Sequence, residues 1–160
     1  MIPTITDVAA ALVAVFDGER LTLIPTITDV AAALVAVFEG ERLTPYQDGG
    51  GVWTNGIGNT HGVVPGLAGT ITHTQAVADF ARNAKPLLDL VITWPIGLAA
   101  ALVSFGFNCG QAAMLRAMAD HSEILQRVHT TDRHGAVEPG LVTRRRLEYT
   151  LCEMFYGIKA

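Results

Sequence analysis

At 160 residues the chain has room for one domain of ordinary size, and a composition half hydrophobic and 16% charged favours a packed globule over a disordered chain. A net charge of -4 argues against nucleic-acid binding, which rests on neutralising phosphates, and the one basic run is Arg144-Arg145-Arg146. Cys109 and Cys152 are too few for a disulfide framework and lack zinc-ligand spacing, so neither a metal nor another cofactor is expected.

In chain order, the first feature is a repeat. Ile2 to Thr22, IPTITDVAAALVAVFDGERLT, returns after Leu23 as Ile24 to Thr44, IPTITDVAAALVAVFEGERLT, with Asp17 against Glu39 as the one difference. Each copy reads as a helix. Thr26 and Asp29 give a start signal, an apolar run follows, and Gly40 is a natural stop; Thr4, Asp7 and Gly18 play the same parts in the first copy. The run is apolar all round, as in a helix enclosed by others. A domain has one such slot, so residues 1–23 read as a duplicated extra helix and residues 24–160 as the core of a single domain. The apolar stretches, Val30 to Phe38 among them, fall far short of the ~20 residues that span a bilayer. No positive charge precedes Val8 to Phe16 as it would in an export signal, and the chain reads as made in the cytoplasm.

Pro45 to Thr60, PYQDGGGVWTNGIGNT, alternates turn residues with Tyr, Val, Trp and Ile and predicts a small antiparallel ribbon. After the Pro65-Gly66 loop, Thr72 and Gln75 form a capping box opening a helix to about Val91, which Pro86 should kink or divide. Pro95 then opens a helix from about Ile96 to Phe107, and shorter helices are expected over Gln111 to Ala119 and Ser122 to Val128. In the last helix Leu147, Leu151, Met154, Phe155 and Ile158 form one stripe; a helical wheel puts Arg144 inside it and turns Arg145 and Arg146 towards solvent.

An inward arginine requires an anion, because an unpaired buried charge is too costly to keep. Glu39 answers that need. It ends the apolar helix, near the negative end of the helix dipole and beside hydrophobic side chains, surroundings suited to an acid. Nine residues on, Asp48 sits in a Gln-Asp-Gly-Gly-Gly turn among backbone donors, and Thr54, across the ribbon, offers a hydroxyl that can orient water. Two carboxyls in unequal surroundings are what cleavage of a glycosidic bond requires. Trp53 can support the ribbon or stack on sugar, and Asn108 can end a helix or line a cleft. His73, His121, His129 and His134 read as solvated.

FEGERLTPYQDGGGVWTNGIGNT, from Phe38 to Thr60, closely resembles the active-site segment of phage lysozymes, the muramidase endolysins of glycoside hydrolase family 24. PGLAGTITHTQA from Pro65, ALVSFGFNCG from Ala101 and GLVTRRRLE from Gly140 extend the resemblance from about Ile24 to the end of the chain. The resemblance implies an α+β, mainly α fold of lysozyme type, with a small β-ribbon lobe, a helical lobe and the cleft between them. It implies Glu39 as general acid, Asp48 and Thr54 as its catalytic partners and Arg144 as the support of Glu39; Trp53 and Asn108 stand beside them as candidate substrate-binding residues on their own context. The implied substrate is the glycan strand of bacterial peptidoglycan, in the periplasm, reached after release by a holin-type partner.

Two departures stand against the pattern. Asn59 occupies a position where the family often has His, with His61 two residues on, and residues 1–23 have no counterpart in it. Asp17 has Thr26, not Asp, nine residues later and no ribbon after it, so it reads as an inert helix end. A lytic transglycosylase, which needs one carboxyl, and a wall-binding protein impaired by a swap between the two helix copies are the alternative readings.

Overall fold

The computed structural model describes residues 26–48, 50–64, 69–132 and 134–156. The first helix copy with Asp17, the Pro65-Gly66 loop and Ile158 lie outside the described residues. Helix α1, Ile27–Glu39, begins on the expected capping box: Thr26 Oγ1 accepts from Asp29 N, and Asp29 Oδ2 accepts from Thr26 N. It ends at Gly40, whose φ of 82° a side chain would resist and whose N–H still bonds Ala36 O at 2.9 Å.

Strands β1, Arg42–Gln47, and β2, Trp53–Gly56, pair antiparallel, with Tyr46 opposite Thr54 and Gln47 opposite Trp53. The register slips between Arg42 and Tyr46, where Pro45 cannot donate to the ladder. Helix α2 covers His73–Leu88 behind a Thr72–Gln75 capping box and is not divided at Pro86, which lies two residues before its end. Helices α3, Ile96–Cys109, and α4, Gln111–Ala119, follow the sequence expectation closely. The expected helix over Ser122 to Val128 is instead two 3₁₀ turns, His121–Leu125 and Arg127–His129, too short to repay an α-helical nucleus. Helix α5, Pro139–Tyr156, closes the described fold. No helix among the described residues is long and apolar enough to cross a membrane.

Helix α3 is the centre of the fold. Its residues Leu98 through Gly106 are buried without a break, and α1, α2, α4 and α5 all pack against it. Gly106 lets α4 come close: a Cβ there would stand 2.8 Å from Met114 Sδ and 2.9 Å from Met114 Cβ. Gly106→Ala therefore overpacks the α3–α4 contact and is expected to cost about 1–3 kcal/mol, read as a lowered midpoint in urea. An unchanged midpoint would mean that α4 yields freely.

A second, smaller cluster joins the end of α1 to α5. Leu34, Val37 and Phe38 pack with Leu147 and Leu151, so the C-terminal turn of α1 is fixed by hydrophobic burial before any charge is considered.

Candidate active site

Glu39 is the last residue of α1, and its side chain is 36% exposed. Arg144 of α5, only 3% exposed, donates from Nη1 to Glu39 Oε1 at 2.5 Å while its guanidinium lies 5.0 Å over the Phe38 ring. Asn108, near the end of α3, places Nδ2 3.5 Å from the same Oε1. Among the described residues every bond to Glu39 falls on Oε1, which leaves Oε2 for a ligand. The inward arginine expected from the helical wheel and its glutamate partner are thus brought together, and Asn108 joins them.

Asp48 and Thr54 form a second group, in the hairpin. Asp48 Oδ1 accepts from Gly50 N at 2.8 Å and Val52 N at 2.9 Å, the ring of backbone donors that the turn sequence implied. Val52 O receives both Asp48 N, at 2.9 Å, and Thr54 Oγ1, at 3.1 Å, so one peptide holds the two residues in relation to each other. Thr54 is buried, Asp48 is exposed and Trp53 is half-buried beside them. No hydrogen bond among the described residues links this group to Glu39.

The departure at Asn59 is accommodated. Asn59 is 3% exposed; its Nδ2 donates to Asn55 Oδ1 and His61 O, and its Oδ1 accepts from Asn83 Nδ2 and His61 N. These bonds pin the end of β2 to α2 with no histidine at that position.

Behind Glu39 lies a buried network that the sequence analysis missed. Arg145 was expected at the surface but is fully buried, because α5 runs between α3 on one side and the first 3₁₀ turn on another and has more than one buried stripe. Glu148, also fully buried, receives Arg144 Nε at 3.0 Å and Ser104 Oγ at 2.6 Å on Oε1 and faces Arg145 Nη1 at 3.2 Å with Oε2. Arg144 Nη2 donates to Ser104 O at 3.1 Å. Glu39, Glu148, Arg144 and Arg145 form a quartet of two acids and two arginines, in which each buried charge has a partner of opposite sign. Burial pushes the Glu148 carboxyl above its ordinary value, against the pull of both arginines, and pushes Arg145 below its own, against Glu148. The i,i+4 spacing of Arg144 and Glu148 and the lone Ser104 in an apolar run were the available signals.

Two of the four histidines read as solvated are not. His121 is 7% exposed, and His129 is held by Glu123 at 3.1 Å and set edge-on to Phe105, with ring centroids 5.0 Å apart. Glu123 also takes Arg116 Nε at 2.8 Å, and the bonds from His129 and Arg116 hold its carboxyl below the ordinary value. His73 stays exposed on Glu41, and His134 is exposed.

Cys109 and Cys152 are both free thiols. Burial pushes Cys152 up to about 12 and raises Cys109 as well. Two thiols are therefore expected to react with a disulfide reagent after unfolding, and both slowly in the native protein at pH 8. Fast native labelling of Cys152 would contradict its burial.

A helical lobe with one small hairpin among the described residues, and a carboxyl at the end of the helix that leads into that hairpin, define the lysozyme-like class. The phage lysozyme family model matches residues 36–148, and the chain belongs to that family. The SAR-endolysin of Escherichia phage P1 is 54% identical over 39 residues, a stretch that is 24% of this chain and 20% of that protein, so the match spans about a fifth of the relative's length. Among solved structures, the active form of the P1 phage endolysin Lyz is similar with a TM-score of 0.61 and 26% identity, covering 95% of each chain. A P22 phage lysozyme variant has a TM-score of 0.62 at 22% identity, covering 81% of this chain and 99% of its own, a likeness of fold.

Proposed function

We propose that this protein is an endolysin that hydrolyses the β-1,4 bond between N-acetylmuramic acid and N-acetylglucosamine in peptidoglycan and so lyses the host cell. The observation that carries the reading is the one-sided hold on Glu39: Arg144 and Asn108 occupy Oε1, and Oε2 is left to give its proton to the leaving oxygen. Asp48, steadied through Oδ1, and Thr54, whose hydroxyl hydrogen is committed to Val52 O, then offer acceptors to a water on the other side of the sugar. Water attacks the anomeric carbon as the bond to the leaving oxygen breaks, with inversion. Trp53 and Asn108 line the glycan path.

Residues 24–160 serve in this reading as the catalytic domain and 1–23 as an added helix. Synthesis in the host cytoplasm, release by a holin-type partner and action on the wall in the periplasm complete it. Membership of the phage lysozyme family and the likeness to proteins named as endolysins support wall cleavage over a purely wall-binding role. The test is release of dye from labelled, purified peptidoglycan: the reading expects steady release by the purified protein, and no release at any protein concentration would overturn it.

A further inference from the structure

Arg145 has no part in the proposed chemistry, yet it is fully buried and its guanidinium is shared among three groups. Nη1 lies 3.0 Å from Cys109 Sγ and 3.2 Å from Glu148 Oε2, while Nη2 donates to Asn108 Oδ1 at 2.8 Å. The last contact decides which way the Asn108 amide faces. An amide has two ends of nearly equal size and opposite polarity, and a guanidinium can only donate, so the end towards Arg145 must be the oxygen. The nitrogen is then turned to Glu39 Oε1.

We propose that Arg145 is a positioning residue for Glu39, acting through Asn108: it locks the amide so that a donor, not a lone pair, meets the carboxyl. Glu148 is its anchor, and through its other oxygen it also steadies Arg144, so one buried carboxylate sets both hands that hold Glu39. Asn108 is exposed and sits next to the end of α3, where the other described donor to its amide oxygen is the weak Cys109 thiol at 3.7 Å; released from Arg145, the amide could turn its oxygen to Glu39 and push the carboxyl away. The inference rests on the proposed hydrolysis.

The test is a double-mutant cycle of Arg145→Lys and Asn108→Ala, with kcat and KM measured on soluble glycan fragments of peptidoglycan. Lysine keeps a cation for Glu148 but has no planar fork to reach Asn108 as well. Arg145→Lys is expected to lower kcat about tenfold with KM unchanged, Asn108→Ala to lower kcat about tenfold, and the double variant to fall no further in kcat than the worse single one. Losses that multiply to about a hundredfold, a change in KM alone, or full activity in either single variant would overturn the proposal. Asn108→Asp repeats the test at an exposed position should the buried lysine prevent folding: it keeps an acceptor for Arg145 but offers Glu39 an oxygen. It is expected to lose at least as much as Asn108→Ala, and full activity would overturn the proposal. A wild-type protein inactive on the fragments defeats the hydrolysis reading itself, and the inference with it; an active wild type with an additive cycle defeats the inference alone.

Discussion

Glu39→Gln is expected to abolish measurable clearing of purified peptidoglycan, a loss on the order of 10²–10⁴-fold, while Asp17→Asn leaves the rate unchanged. Glutamine keeps the length and shape of the side chain and can still accept from Arg144 through its carbonyl, so the cleft survives and the proton is what is lost. Asp17 tests the duplication directly. A carboxyl shorter by one methylene stands back on the order of 1.5 Å, and misplacement of ~1 Å can cost ~100-fold, so Asp17 is a poor substitute even where its helix occupies the same slot. Residual clearing by Glu39→Gln that disappears when Asp17→Asn is added would show that the first copy can stand in.

The second large effect is on stability. Arg144→Met removes the bonds to Glu39, Glu148 and Ser104 at once and leaves Glu148 to Arg145 alone and Glu39 to Asn108. Breaking a buried ion network from one side costs about 3–5 kcal/mol, a large share of the ~5–15 kcal/mol that holds a domain together. The midpoint of thermal unfolding is expected to fall by about 10 °C, with clearing activity lost alongside it. Arg144→Lys should recover little, because a point charge cannot serve Glu39, Glu148 and the Ser104 carbonyl together. A thermal midpoint for Arg144→Met within about 2 °C of wild type would show that the quartet contributes nothing net.

How much of this could be read in the sequence differs by residue. The position of Glu39 followed from a helix with a capping box at Thr26 and a glycine stop at Gly40, local signals that tertiary packing did not override. Asp48 followed from its turn for the same reason. Arg144 was found because a single apolar stripe sufficed to orient it. Arg145 was misplaced because one stripe does not describe α5, which is buried on two sides, and a wheel drawn on apolar residues cannot see that Glu148 makes the second side habitable for an arginine. Ser104 and His129 were missed because their partners, 44 and 6 residues away, are polar contacts made by the fold rather than by local pattern. The split of the Ser122 to Val128 segment into 3₁₀ turns was likewise decided by its shortness, which composition does not report.

The most direct test of the central claim is digestion of purified peptidoglycan in oxygen-18 water followed by mass spectrometry of the new chain ends. The account predicts reducing N-acetylmuramic acid ends that carry oxygen from the solvent, produced by wild type and absent with Glu39→Gln. Anhydro-muramic acid ends without solvent oxygen would mean that the sugar's own hydroxyl attacks, and would contradict the roles given to Asp48 and Thr54.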